Sequence, residues 1–348
     1  MENVKGILSS KIEGNTRIFP QIREDLQNPS NALTSDEIFK ELEDFHPPNQ
    51  RKYRLYSFVT GHEDPQDREF TIYSENYGVP QKRHRVIILG VRDDINTKPN
   101  ALKPSQKKSV QKAIADLPKL RSGLSKGEDS AAAWQDAISA NFPNDAIKDL
   151  KANGIGNRIE LILDREVPEW KRKSNKISKK LSKPNSLFSK WITSDHPEHL
   201  LHHDTRGHMN SDLSRYLYAS LITEENGITP KLSSWPQGLL PNHKNVTTDK
   251  NGKVKVAGFN DRFRVQAWGN PSTTITSHIS KDGHYYIHPD PEQCRSLTVR
   301  EAARLQTFPD NYYFCGNRTQ QYHQVGNAVP PLLAVQLAEI VADIVRDL

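Results

Sequence analysis

Apolar residues gather towards the two ends of this chain and thin out in its middle. Residues 53–59, Tyr-Arg-Leu-Tyr-Ser-Phe-Val, read as a strand, and 86–91, Val-Ile-Ile-Leu-Gly-Val, form a short continuous apolar run. Such a run predicts a strand buried on both faces, as in a parallel sheet. Asp36 to Phe45 has the spacing of an amphipathic helix, and Ser109 to Leu117 predicts another, stopped by Pro118. From about 120 to 290 the pattern weakens into a polar stretch rich in Asn, Ser, Lys, His and Pro, which predicts short irregular strands. Regular structure returns after it. Thr298 and Glu301 form a Thr-x-x-Glu capping box, Leu297 and Ala302 sit at staple positions, and Pro309 ends that helical region. Pro330-Pro331 opens a final helix, where missing N–H groups cost little. Leu333, Leu337, Ile340, Val341 and Ile344 then make a wide apolar stripe that must pack against something.

A length of 348 residues suggests two domains. Hydrophobic residues make up 35% and the mean hydropathy is −0.74. No apolar run approaches the ~18 residues that span a bilayer, and the first residues lack the apolar core of a signal peptide. No membrane association is expected. The two cysteines, Cys294 and Cys315, exclude a disulfide scaffold or a Cys-rich zinc cluster and suit a reducing cytoplasm. Net charge is +6 and the pI about 9.1, which suits a polyanionic partner without requiring one. Residues 170–191 carry eight Lys/Arg and no Asp/Glu, with Trp170, Phe188 and Trp191 interspersed. Two readings stand: a solvated linker, or a phosphate-contacting surface led by Lys171, Arg172 and Lys173. His203 and His208 have a spacing that signals a metal only weakly, so no metal site is expected; surface hydrogen bonding or phosphate contact fits them better.

Four blocks change this picture. The chain starts Met1-Glu2-Asn3-Val4 and later reads Tyr77-Gly-Val-Pro-Gln-Lys-Arg-His-Arg85. It then reads Arg295-Ser-Leu-Thr-Val-Arg-Glu-Ala-Ala-Arg-Leu-Gln-Thr-Phe-Pro-Asp310 and Gln324-Val-Gly-Asn-Ala-Val-Pro-Pro331. In that order they resemble the C-terminal two-thirds of a DNA cytosine-5 methyltransferase. The resemblance covers about 1–10, 50–120 and 255–348 and says little about 120–255. It implies an α/β fold: a partial Rossmann-like methyltransferase sheet domain plus a smaller, mostly β or irregular target-recognition domain. Residues 1–120 would belong to the catalytic domain, 121–290 to target recognition, and 291–348 would return to the catalytic domain with the C-terminal helix.

The resemblance also implies a bacterial restriction-modification activity. A methyl group would pass from S-adenosylmethionine to C5 of a cytosine flipped out of a specific site in double-stranded DNA. Glu2 would be the acid at N3 of that base, its pKa raised by burial; read alone, three residues at a chain start mean little. Arg83 and Arg85 would hold the flipped nucleotide, Arg85 nearest O2, with Gln81 beside the DNA; read alone, they are two arginines where a strand begins. Asn327 and Val329 would touch the cofactor, although Asn327 could also cap the final helix. Thr274, in Thr273-Thr274-Ile275, matches a threonine-containing turn of the recognition domain. Arg300, Glu301 and Arg304 would organise the hinge between domains.

Two expected features of that family do not occur in these residues: the Gly-rich cofactor turn and the Pro-Cys nucleophile pair. Cys294 follows Gln293, and Cys315 follows Phe314. The chain is therefore expected to begin partway through such an enzyme, to hold an incomplete cofactor site, and to be inactive alone. An N-terminal half or partner subunit would carry the nucleophile. A sheet without its early strands would be open along an edge. The alternatives are a catalytically dead remnant that at most binds DNA, and a complete enzyme using Cys294 or Cys315.

Overall fold

The computed structural model describes residues 1–30, 51–140, 142–176, 186–193, 199–250 and 252–346. The helix expected at 36–45 lies outside the described residues. The chain divides into two compact units, Met1–Lys107 with Pro331–Leu348, and Lys108–Pro330. These bounds fall at different points from the expected functional domains.

The first unit is organised by one strand. Strands β1 (Glu2–Val4), β2 (Tyr53–Ser57), β3 (Thr71–Tyr73) and β4 (His84–Arg92) form a sheet in which β1, β2 and β3 each pair with β4. All three pairings are antiparallel, with Glu2 opposite Ile87, Tyr53 opposite Arg92 and Ile72 opposite Arg85. β1 and β3 pair with overlapping residues of β4, so they occupy opposite edges. The apolar run at 86–91 is the central strand, as expected, but its neighbours are antiparallel and not parallel. Such a run reports that both faces are covered; it carries no information on the direction of the neighbours. Alternate side chains enter different cores. Val86 and Ile88 pack with Phe19, Leu55 and Phe70, Phe19 coming from the helix Ile18–Gln27. Ile87 packs with Phe58, Ile72, Tyr77, Leu102, Leu333 and Ile340.

Leu333 and Ile340 belong to the final helix, Pro331–Arg346. Ile344 is also buried, whereas Val341 is 38% exposed, so the stripe is narrower than the sequence suggests. By length and composition the stretch Arg318–Arg346 is apolar enough to cross a membrane, which corrects the expectation that no run approaches that length. Its helix ends at Asn327 and restarts at Pro331. Leu333, Ile340 and Ile344 are spent on the core of the first unit.

The regular structure of the second unit is mainly helical, joined by long irregular segments. Within 121–290 the described strands are two short pairs, Gly123–Leu124 with Gly207–His208 and Val246–Thr248 with Val254–Val256. Helices span Ala131–Ser139, Asn144–Ala152, Gly156–Leu163, Leu187–Ile192 and Asn210–Asn226. Much of 121–290 is irregular, as expected, but its regular structure is helical more than β. The helices are short and polar outside, but Trp134 with Ile138, Ala146 with Leu150, and Ile159 with Ile162 meet on one face and build the core. Ser130 caps the first of them by accepting from the Ala133 N–H.

The expected capping box is present. Thr298 accepts from the Glu301 N–H, Glu301 accepts from the Thr298 N–H, and every residue of the helix Val299–Leu305 is buried. Its charges are satisfied inside this unit. Arg295 is bidentate to Glu301 at 2.8 and 2.7 Å. Arg304 meets Asp310 at 2.8 and 2.6 Å and Asp116 at 2.8 Å. Arg300 donates to the carbonyls of Leu201, Pro309 and Tyr312. Burial alone would push the Glu301 carboxyl up, yet Arg295 and then His288 hold it below the usual range.

Candidate functional site

In the first unit, one hydroxyl shapes the turn that leads into β4. Ser74 Oγ donates to the Gln81 carbonyl at 2.7 Å and accepts from the Arg83 N–H at 3.0 Å. Gly78 closes the preceding 3-10 turn at φ +85°, and a Cβ there would lie 3.0 Å from Ser105 Oγ, so glycine serves on both counts. Gln81 is fully buried and Arg83 is 5% exposed. The buried side chain makes Gln81 a wall of the turn rather than a surface group.

β1 runs beside this turn. Val4 lies opposite Arg85 and Glu2 opposite Ile87, which puts Glu2 and Arg85 on one face of the sheet. Arg85 Nε is 3.1 Å from Glu2 Oε1. Burial, and then Arg85, push the Arg83 guanidinium down to about 10, opposed by Glu2. Burial likewise lowers Arg85, again opposed by Glu2. Glu2, Arg83 and Arg85 thus form one electrostatic group. The expected burial of Glu2 is not seen: its side chain is 37% exposed. It lies on the short edge strand β1, where only one side is covered.

In the second unit, the segment after Val325 is held on two sides. Gln306 Nε2 donates to the carbonyls of Val325 and Ala328 at 3.1 and 2.8 Å. Gly326 lies against the backbone of Thr276 and Ser277, where a Cβ would come within 2.2 Å of Ser277 N. Asn327 is exposed and Val329 half-buried. Asn327 is the last residue of the helix Arg318–Asn327, so it ends that helix and does not cap the final one. Gln306 is not among the residues the sequence singles out; a lone amide between Leu305 and Thr307 at a helix end is the available signal.

Thr274 is half-buried in a turn held by two side chains. Gln266 Oε1 accepts from the Thr273 N–H at 2.9 Å, and Tyr286 Oη donates to the Thr274 carbonyl at 3.1 Å. Among the basic residues, Lys171 and Lys173 are exposed. Arg172 is 2.5 Å from Asp129 and donates to the Thr205 carbonyl, so it is committed to the fold. Trp170 packs 6.3 Å from Trp134, Phe188 is buried, and residues 177–185 lie outside the described ones.

His203 and His208 are buried, which corrects the expectation of surface groups. His203 bonds Thr298 Oγ1 and the Pro118 carbonyl, and His208 Nε2 meets the Ser296 N–H. Burial pushes them down to about 4 and about 3. Each ring serves a backbone or hydroxyl partner, so neither faces solvent. Cys294 is buried and donates to the Pro291 carbonyl, and burial pushes its thiol up to about 12. Cys315 is exposed.

The family described as C-5 cytosine-specific DNA methylase matches residues 70–342. The chain belongs to this family. The matched span contains Gln81, Arg83, Arg85, Gln306, Asn327 and Val329, and begins after Glu2. Among similar proteins, the type II methyltransferase M.Bpa9945I of Bacillus paralicheniformis is 59% identical over 29% of this chain and 22% of its own length. M1.HphI of Haemophilus parahaemolyticus is 52% identical over 33% of this chain and 34% of its own. M.DdeI of Desulfomicrobium norvegicum is 25% identical over 76% of this chain and 51% of its own. The chain therefore aligns with about half or less of each of these methylases.

Proposed function

We propose that this methylase chain supplies the base-holding and DNA-reading parts of an enzyme that methylates C5 of a flipped cytosine in duplex DNA. It would act in a bacterial restriction-modification system, in the cytoplasm. Carbon 5 of cytosine is too weak a nucleophile to take a methyl group until a thiolate has added at C6. Within these residues neither thiol suits that step. Cys294 is buried with its proton held tightly, and Cys315 follows Phe314 in a segment remote in sequence from the base-holding turn. The nucleophile is therefore assigned to polypeptide outside these residues, either an N-terminal part or a partner subunit.

Glu2 would face N3 of the base, with Arg85 towards O2 and Arg83 behind it. The observation that carries this reading is the 3.1 Å pairing of Glu2 with Arg85 on the face shared with Arg83. A carboxyl group flanked by guanidinium groups offers the hydrogen-bonding set that one edge of cytosine requires. S-adenosylmethionine, when bound, supplies the electrophilic methyl group. Asn327 and Val329 would hold part of it: an exposed amide beside a half-buried apolar side chain, on a segment pinned by Gln306, suits a nucleoside but makes an incomplete site. Lys171, Lys173 and the turn containing Thr274 would contact the DNA, within a recognition region spanning 121–290.

The test is covalent trapping on a duplex containing 5-fluorocytosine with S-adenosylmethionine present. The chain alone should form no adduct. Adding a polypeptide that carries a Pro-Cys block should restore trapping, and Glu2→Gln should abolish it. An adduct on the isolated chain would refute the assignment of the nucleophile. Failure of every combination, with DNA binding intact, would favour a binding remnant.

A further inference from the structure

The second unit carries a feature that the base-holding reading leaves unused. Val246–Thr248 and Val254–Val256 form an antiparallel two-stranded ribbon, with Val246 opposite Val256 and Thr247 opposite Lys255. Alternation puts Val246, Val254 and Val256, with the exposed Thr248, on one side. Val246 and Val256 pack against the helical core of the unit. Thr247 and Lys255 point the other way and are exposed, with Lys253 exposed next along that side. Asp249 closes the turn by accepting from the Lys253 N–H at 3.0 Å. Its carboxylate is 3.8 Å from Lys255 Nζ, a loose pairing, and the Lys255 side chain is 68% exposed. Lys244 and Lys250 are exposed as well.

Just past the ribbon in sequence comes an exposed aromatic ring. Phe259 is 79% exposed and its backbone is left-handed, at φ +49°. A bulky side chain adopts that conformation only when its surroundings impose it. Here they do. The next residue, Asn260, is fixed from both directions: its carbonyl accepts from the Leu232 N–H, its Oδ1 accepts from the Ser233 N–H, and its Nδ2 donates to Ser233 Oγ. The Arg262 N–H donates to the Phe259 carbonyl. The loop is thus bolted down on the side facing the protein, and the ring is presented outward.

We infer that this ribbon and Phe259 form a duplex-DNA contact surface, with Lys253 and Lys255 on phosphates, Thr247 towards base edges, and Phe259 against a base or sugar. The major groove admits a two-stranded ribbon. Lysines along one side meet the phosphates that line it, threonine accepts or donates to a base edge, and an exposed apolar ring is the group that proteins place against unstacked or groove-facing bases. The partly buried valine side fixes the ribbon's orientation, so the polar side has one direction to face. This deepens the proposed function and rests on it, because it names the reading element of a DNA-binding chain.

The experiment is fluorescence anisotropy with a fluorescein-labelled duplex of mixed sequence, titrated across salt concentrations with the whole chain. Lys253→Ala with Lys255→Ala should weaken binding by about tenfold at low salt and make the slope of log K against log salt shallower by about 2, at roughly 0.9 per phosphate contact. The control pair Lys126→Ala with Lys148→Ala removes the same charge from exposed positions elsewhere in the unit and should leave both quantities unchanged. Phe259→Ala should weaken binding with the slope intact, and Phe259→Trp should restore it. If the parent chain binds DNA and the ribbon variants bind equally well, or no worse than the control pair, the ribbon is not the contact surface. If the parent chain binds no DNA, the proposed function itself falls, and this inference with it.

Discussion

Gly326→Ala is the sharpest test of the packing behind the Asn327–Val329 segment. An added Cβ would lie 2.2 Å from Ser277 N, 2.3 Å from Thr276 C and 2.7 Å from Ser277 Cα. All three are backbone atoms, so no side chain can swing away. A carbon needs about 3.5 Å from such neighbours, so the helix Arg318–Asn327 must retreat from the 276–277 turn by roughly an ångström. Forcing extra volume into a packed interior costs about 1–3 kcal/mol, and a contact with fixed backbone belongs at the upper end. Alanine returns up to about 1 kcal/mol as the better helix former. The net loss is then about 2 kcal/mol, or about 4–8 °C in the melting temperature of a unit this size. The retreat would also drag Val325 and Ala328 from Gln306, so binding of S-adenosylmethionine by the reconstituted enzyme should weaken. Differential scanning calorimetry and equilibrium dialysis read the two effects. An unchanged or raised melting temperature would show that propensity dominates and that the close approach is not a constraint.

Three further outcomes are expected. Glu301→Gln leaves Arg295 buried without its counter-ion and should destabilise the second unit by about 3–5 kcal/mol, measured by urea unfolding; a loss under 1 kcal/mol would refute the role given to that pair. The protein should lose stability as pH falls below 6.5. His203 and His208 keep folded values of about 4 and about 3, so between those values and 6.5 the unfolded chain binds more protons, at about 1.4 kcal/mol per pH unit per histidine. Glu301, whose value is also lowered on folding, adds stability that is present above the ordinary glutamate range and fades as pH falls below it. A melting temperature flat from pH 7 to about 5 would contradict these burial-driven shifts. Finally, Cys294→Ser with Cys315→Ser should leave methyl transfer by the reconstituted enzyme within about twofold of the parent, since neither thiol is assigned chemistry; radiolabelled methyl incorporation decides it.

The sequence exposed what is local. The Thr298–Glu301 box lies within one turn, and both of its hydrogen bonds are present. The strand at 86–91 and the start of the last helix were equally legible. The direction of the strands was not, because an apolar run records coverage and leaves pairing to residues far away in the chain. The helix Asn210–Asn226 was invisible for the opposite reason. Its buried residues run from Asp212 to Thr223 around most of its circumference, so no polar stripe remains to reveal its period. At the candidate site, Glu2 and Arg85 were legible as candidates and are paired in the structure, but the groups that hold the neighbouring turns were not legible. Ser74 and Gln306 act through hydrogen bonds to main-chain atoms, and nothing in residue type announces which carbonyl an amide or hydroxyl will find.

The dependence of β1, β2 and β3 on β4 ties two traits of this chain together. Arg85 faces one side of that strand, while Val86 and Ile88 fill a core on the other. Sliding β1 by one residue along it would trade the partners of Glu2 and cross a charged group with an apolar one. Drift in the proposed grip on a base would therefore be policed by foldability: the loops around this strand can lengthen, but shifting its frame would turn Val86 and Ile88 out of their core.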